Sequence, residues 1–274
     1  MADGEEIPVY PMSSIDRAPV PRSALVAQLR ALGLSATPVL VVHTAFRAVG
    51  PVEGGPLGLI AALREALSPD ATLVLPSMSD DDDHPFDAAT TPCASMGVVA
   101  DTFWRQPGVV RSDNPASFAA IGPLASVITA PHPLAPPHGI DSPVGRACAL
   151  GGSVLLLGVD HSANTTMHLA ESMAGVPYRS RKFATVLRDG APVSVPYEET
   201  DHCCENFQRV DAWLRERGLL MEGTVGYGAA RLMRASDVVR VALGALRDDP
   251  CAFLHLRSSG CDECDEAWAS IVSG

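Results

Sequence analysis

Apolar positions recur along the chain in two patterns. The first is the short unbroken run. Segments 38–43 (PVLVVH), 71–76 (ATLVLP) and 153–159 (SVLLLGV) each have strand length and read as strands buried on both faces. The second is a stripe at helical spacing. Leu25, Val26, Leu29, Leu32 and Leu34 mark a helix over 23–34 ending at Gly33, and 56–67 (PLGLIAALREAL) is an amphipathic helix with proline at its start. Helices are also predicted over 97–104, 143–150 and 165–174, and a short strand over 117–121. Buried strands alternating with helices argue an α/β class: a layered α/β fold with a central, largely parallel sheet.

After Pro177 the pattern changes. Runs 183–187 and 193–197 flank Arg188-Asp189-Gly190, where Asp-Gly signals a hairpin. A helix is predicted over 203–217 with Asp201 as its cap, another within 231–246, and a last strand over 253–256. Residues 178–274 thus read as a smaller C-terminal lobe, or an elaboration of one edge, of a single domain spanning 21–274. Residues 1–20 hold prolines and acids without periodicity and read as a loosely ordered extension.

Composition narrows the classes. A chain of 274 residues, 47% hydrophobic and 19% charged, belongs with globular proteins that bury a sizeable core. No apolar run approaches the ~20 residues of a membrane span. Residues 1–22 carry Asp3, Glu5, Glu6 and Asp16 in place of a basic start and apolar stretch, so a cytoplasmic protein with no membrane partner is expected. The net charge of −12 argues against a nucleic-acid partner and is compatible with a cationic ligand. Seven cysteines in such a chain do not suggest a disulfide framework.

Candidate chemistry falls into five groups. His168 and Glu171 stand three apart on a helix that follows a buried strand, at the edge where α/β sheets hold ligands. A carboxylate beside an imidazole fixes its tautomer and makes it a general base. Thr165 and Thr166 lie at the helix start, where hydroxyls and free N–H groups stabilise an oxyanion. Next, the loop His43-Thr44-Ala45-Phe46-Arg47, with Gly50, Gly54 and Gly55, suits phosphate contacts, although it matches neither the P-loop nor the dinucleotide fingerprint. Arg111 and Ser112, ahead of a strand, suit a phosphate or pantetheine arm. Two acidic groups, Asp80 to Asp83 and Glu198, Glu199 and Asp201, make a polycation site if they face one crevice. Finally, Asp201-His202-Cys203-Cys204 with Cys261-x-x-Cys264 fits tetrahedral zinc, with His202, Cys203 and Cys204 as alternative ligands. A closed site of that kind would be structural, pinning the tail.

The stretches VVHTAFRAVGPVEGGPLGLIAALREAL, TLVLPS, FAAIGP, PHGIDSPVGR, LLLGVDHSANTTMHLAE, and DHCCENF with GCDEC, carry a family resemblance. Over residues 22–260 and beyond, the chain resembles the aminoglycoside 3-N-acetyltransferases, most closely the type IV subclass known for apramycin and gentamicin. The resemblance implies transfer of an acetyl group from acetyl-CoA to the 3-amino group of the 2-deoxystreptamine ring, and hence antibiotic resistance. It implies an α/β fold, not the GNAT fold, whose cleft takes CoA on one side and the drug on the other. Its H-x-x-E histidine matches His168 as base, with Glu171 orienting it and Thr165 or Thr166 near the thioester carbonyl. The His43-Thr44-Ala45 loop and Arg111-Ser112 match segments linked with CoA; Asp82, Glu199 and Asp201 match the antibiotic side. Ala45 departs from a family serine, and Asn114 stands where many members have histidine. Direct transfer is expected, because no serine or cysteine is spaced with a base, Cys93 and Cys148 being the exceptions considered. The partners implied are the aminoglycoside and acetyl-CoA, on a monomer or homodimer. The rivals are acetylation of another amine, a metal-dependent hydrolase using His168 and Glu171, and a non-catalytic protein that sequesters cations.

Overall fold

A computed structural model of the protein describes residues 17–93 and 95–272. It opens with α1 (Arg22–Leu32), β1 (Val39–Thr44), the short α2 (Phe46–Val49), α3 (Gly55–Ala66), β2 (Thr72–Pro76) and α4 (Gly97–Trp104). Next come β3 (Val110–Arg111), β4 (Phe118–Ile121), α5 (Ala125–Ile128), α6 (Pro143–Ala149), β5 (Ser153–Leu157) and α7 (Thr166–Ala174). The chain closes with β6 (Ser180–Arg188), β7 (Ala191–Glu199), α8 (Arg209–Glu216), β8 (Met221–Val225), β9 (Gly228–Arg234), α9 (Ala235–Asp248) and α10 (Asp262–Val272).

Seven strands form one sheet in the order β3-β4-β2-β1-β5-β9-β8. The central β2, β1 and β5 run parallel, and the flanking strands join antiparallel. The α/β class expected from the sequence holds, with parallel pairing confined to the three unbroken apolar runs. Successive side chains of a strand face opposite sides. Val39, Val41, Val154 and Leu156 pack into one core with Met167 of α7 and Val238 of α9. Leu40, Val42, Leu155 and Leu157 pack into the other with Leu29 of α1 and Leu63 of α3. Both faces are therefore covered, which is why these strands read as apolar runs and not as alternation.

Helix ends follow from local chemistry. Ser142 caps α6, its hydroxyl accepting the Gly145 N–H at 3.3 Å, and Pro143 sits in the first turn. Gly175 ends α7 in the left-handed conformation (φ 65°), its N–H reaching the carbonyls of Glu171 and Ser172. The hairpin β6–β7 turns at Asp189 (φ 52°) and Gly190 (φ 79°), both with the positive φ a type I′ turn requires.

Four expectations change. The helix placed within 231–246 begins only at Ala235, because Arg231 to Arg234 pair with β5 as part of β9. The helix over 203–217 breaks into a 3₁₀ turn, Cys204–Gln208, and α8; Asp201 does not cap it but meets Lys182. Residues 253–256 form a turn, not a strand. The C-terminal stretch divides: β8, β9 and α9 complete the main sheet and its cover, while β6 and β7 form a separate two-stranded sheet. Of the extension over 1–20, residues 1–16 lie outside the described residues. Val20 bridges to Val52, and the Ala18 carbonyl accepts the Tyr227 hydroxyl at 2.9 Å. Among the described residues, no helix is long and apolar enough to cross a membrane.

Candidate active site

Strands β1 and β5 are parallel neighbours, so their carboxyl ends open side by side. Gly158, just past β5, has φ +70°, and a Cβ there would come within 2.7 Å of Ala48 Cβ. Only glycine lets the two strand ends close up this tightly. From β5 the chain makes a 3₁₀ turn, His161–Ala163, and enters α7. This places Thr165 and His168 over the end of β1, where His43 and Thr44 lie. Together with Ala45, Met78, Met96 and His138 they line a cavity of ≈ 520 Å³. Among the described residues, His43 Nε2, Thr44 Oγ1 and His138 Nδ1 are buried in its walls without a hydrogen-bond partner. Buried polar atoms are rarely left so unless a ligand or water completes them.

The centre of the site is the Glu171 carboxylate, which is fully buried. Its Oε2 accepts from His168 Nδ1 at 2.9 Å; its Oε1 accepts from the Tyr178 hydroxyl at 2.6 Å and from His202 Nε2 at 2.7 Å. Burial alone would raise the Glu171 pKa, but hydrogen bonds from His168 and His202 overcome it and hold the group at about 2. The carboxylate is thus ionised at any working pH and fixes Nδ1 of His168 as the protonated nitrogen. The other nitrogen, Nε2, faces Cys204 Sγ at 3.5 Å. Burial pulls the His168 pKa down, but charge and hydrogen bonding from Cys204, and then from Glu171, raise it well above 6.5. Phe207 packs edge-on against both His168 and His202, and His138 stacks on His168 with ring centres 5.7 Å apart. Burial holds the His43 pKa at about 4, with His161 adding to the effect; burial, followed by His168, likewise holds His138 well below its ordinary value. Both rings are therefore neutral near pH 7, so the part of the cavity wall they form is polar but uncharged.

The acidic group lies within electrostatic reach of His168. Lys182 Nζ, on β6, meets Asp201 Oδ2 at 2.5 Å. Burial raises the Glu199 carboxyl and Asp201 adds to the shift, while Lys182 and His168 act against it; burial likewise raises Asp82, with Lys182 opposing. Glu199, Asp201, Asp82 and Lys182 therefore share one electrostatic neighbourhood that reaches His168. The Thr185 hydroxyl donates to the Asp82 carbonyl at 2.6 Å, tying the hairpin to that loop.

Other expected site residues lie elsewhere. Arg111 does not reach the cavity as a free cation. Its Nε donates to the Ser77 and Ser117 hydroxyls, Nη1 to the Thr91 carbonyl and Nη2 to the Ser77 carbonyl, and its plane stacks on Phe86 and Trp104. Ser112 is fully buried, and its hydroxyl accepts the Phe118 N–H at 3.0 Å. Each guanidinium nitrogen of Arg111 is thus already engaged within the protein, and Ser112 ties β3 to β4. Arg47 is exposed on α2, outside the cavity lining.

The residues expected to hold zinc separate into two groups. One ligand atom each from Cys203, His255 and Cys261 lie within 4.8 Å of one another, and Cys264 Sγ accepts the His255 N–H at 3.3 Å. Thiols with an imidazole suit zinc. His202 and Cys204 turn the other way, toward Glu171 and His168. Sequence reasoning also missed Tyr178 and His138. Tyr178 stands seven residues from Glu171 and His202 thirty-one, so no local spacing joins them. The expectation that no cysteine stands beside a base fails at Cys204. For Cys93 and Cys148, the two exceptions considered, burial pushes the thiol up, to about 11 in Cys93.

Comparison with known proteins agrees with this architecture. A family model described as aminoglycoside 3-N-acetyltransferase matches residues 41–247. Aminoglycoside N(3)-acetyltransferase IV of a Salmonella species is 54% identical over 241 residues, covering 87% of this chain and 92% of that protein. A mutant of the acetyltransferase AAC(3)-IVa, solved in complex with a gentamicin, is 52% identical with a TM-score of 0.91, covering 94% of this chain and 100% of the other. AAC(3)-IVa was also solved in complex with apramycin. AAC-IIIb, solved as a binary complex with CoASH, is 27% identical with a TM-score of 0.76, covering 84% of this chain and 97% of the other. The chain belongs to the aminoglycoside 3-N-acetyltransferase family.

Proposed function

We propose that the protein transfers the acetyl group of acetyl-CoA to the 3-amino group of an aminoglycoside's 2-deoxystreptamine ring, for drugs of the gentamicin and apramycin kinds, and so gives resistance to them. One observation carries the reading. An imidazole fixed at Nδ1 by a buried, ionised carboxylate lines a cavity with unpartnered polar walls and lies within electrostatic reach of a cluster of carboxylates. The names of the similar proteins point the same way: AAC-IIIb was solved with CoASH, and AAC(3)-IVa with gentamicin and apramycin.

In this reading the thioester enters the ≈ 520 Å³ cavity past His43, Thr44 and Ala45. The polycationic drug lies against Asp82, Glu199 and Asp201. Holding the two together supplies the proximity part of the acceleration. The amine attacks the carbonyl carbon while His168 Nε2 takes its proton, and Glu171 stabilises the imidazolium that forms. The Thr165 hydroxyl, at the mouth of α7, is the group nearest to hand for the carbonyl oxygen. The bond from carbonyl carbon to CoA sulfur breaks, and CoASH leaves with a proton. A reducing cytoplasm supplies acetyl-CoA and suits a chain whose cysteines are all free. Zinc is read as structural, held by Cys203, Cys261 and Cys264, and no step of the transfer uses it.

A second reading is favoured by the 3.5 Å contact between Cys204 Sγ and His168 Nε2. With Glu171 behind, this is a nucleophile–base–acid arrangement able to form an acetyl-cysteine. Intact mass after mixing with acetyl-CoA alone separates the two readings. Direct transfer predicts unchanged mass; an acetyl-enzyme predicts one added acetyl group, absent in Cys204→Ala. The proposed function is tested by thiol release from acetyl-CoA against apramycin, gentamicin and an analogue lacking the 3-amino group. Release is expected with the first two only; equal release with the analogue contradicts it.

A further inference from the structure

Residues 201–204 send four consecutive side chains to four destinations. Asp201 meets Lys182 at 2.5 Å on the acidic side, and His202 Nε2 meets the Glu171 carboxylate at 2.7 Å. Cys204 Sγ stands 3.5 Å from His168 Nε2. Cys203, between them, turns to the C-terminal tail and joins His255 and Cys261. No helix or strand spans 200–203, so backbone hydrogen bonding of regular structure does not hold this segment in place.

The surroundings of Cys203 are built as a metal shell would be. Cys264 is fully buried at the start of α10, and its sulfur accepts the His255 backbone N–H at 3.3 Å. Glu205 Oε2 stands 3.5 Å from His255 Nε2, where a carboxylate orients an imidazole ligand. Trp268 Nε1 donates to the His255 carbonyl at 2.8 Å and fixes the loop that presents the ring. Cys203, His255 and Cys261 bring their ligand atoms within 4.8 Å of one another, and Cys264, which accepts the His255 N–H and neighbours Cys261, supplies a third thiol beside them, with no disulfide among the three; three thiols and an imidazole are the donors a tetrahedral zinc takes.

Building on the structural zinc reading above, we propose that Cys203, His255, Cys261 and Cys264 form one Cys₃His zinc centre that positions the catalytic pair. By clamping Cys203 it fixes its two neighbours, His202 on the Glu171 carboxylate and Cys204 on the His168 base. His255 takes the place that sequence spacing offered to His202 or Cys204. The four ligands act as positioning residues and touch neither substrate.

The test uses the full chain, purified without chelator, and begins with zinc content by elemental analysis and native mass. About one zinc per chain is expected. Replacing the zinc with Co(II) should give the strong visible bands of tetrahedral thiolate coordination. His255→Ala and Cys261→Ser should lose metal affinity by about tenfold or more, whereas His202→Asn and Cys204→Ser should keep the full equivalent. Stripping the wild-type protein with a chelator should lower its melting temperature and its kcat, leave KM for acetyl-CoA within about twofold, and be reversed by added zinc. A zinc-free protein as purified, or metal lost from Cys204→Ser but kept in His255→Ala, overturns the ligand set. A stripped protein with undiminished kcat overturns the positioning role. Metal content is read without turnover, so failure of the centre and failure of the acetyltransferase reading are told apart.

Discussion

At the scale of single residues, the site is a set of opposed shifts around one carboxylate. His168 is held above pH 6.5 in the folded protein, so its contribution to stability is complete below that value and fades as pH rises through the raised pKa. For catalysis the sign reverses, because only the neutral ring accepts a proton. kcat/KM is therefore expected to rise with pH along a limb lying above 6.5. Cys204→Ala removes the leading raising influence, so the limb should move to lower pH; an unmoved limb shows that the thiol does not tune the base. Lys182 is the second residue with a readable consequence. Its ammonium occupies the carboxylate cluster proposed above to receive the drug, pairing with Asp201 while lying partly exposed. Lys182→Met should lower KM for gentamicin by about two- to fivefold with kcat unchanged, the size of an exposed ion pair. A raised KM would mean that Lys182 organises the carboxylates instead of competing with the drug. The His168–Glu171 pair was legible because it sits three apart on a helix. Tyr178, His138 and His202 were not, since only the tertiary fold brings them to the same carboxylate or ring.

At the scale of elements, what the sequence made legible depended on whether a segment's pattern was settled by its own residues. The three parallel strands and their covering helices were readable because each buries a long apolar run or stripe. Arg231 to Arg234 misled because Leu232 and Met233 continue the apolar stripe of α9, yet the free edge of β5 captures them as strand. Arg111 misled in a different way. Beside a serine ahead of a strand it resembles an anion ligand, but every nitrogen of its guanidinium donates within the protein, between two aromatic planes. Arg111→Ala removes the donor to the Thr91 carbonyl and one donor each from the Ser77 and Ser117 groups, which keep their bonds to each other, and empties a mostly buried site between two aromatic rings. It should cost about 2–4 kcal/mol of stability by denaturant unfolding, with KM for acetyl-CoA unchanged in the folded protein. A large rise in that KM without loss of stability would restore the CoA role.

At the scale of the whole molecule, the acidic balance acquires a place. The net charge of −12 is compatible with mere solubility, but Asp82, Glu199 and Asp201 gather in one neighbourhood that reaches His168, while none of the three lines the cavity past His43 and Thr44. Capture of a polycation by such a face is screened by salt. KM for the aminoglycoside should rise as ionic strength is raised, and KM for acetyl-CoA should rise less; equal sensitivity would place the charge effect elsewhere. The meeting of these carboxylates was not legible in the chain order, because they come from the loop after β2 and from the end of β7, far apart in sequence. The central claim is that one imidazole, steadied by Glu171, takes the proton from the drug's amine. It is tested most directly by His168→Ala, with acetyl-CoA turnover and calorimetric gentamicin binding measured on the same preparation. The account predicts a fall in kcat of about 10²–10⁴ with binding retained within a few-fold. Turnover at the parental rate, or loss of binding as large as the loss of turnover, would contradict it.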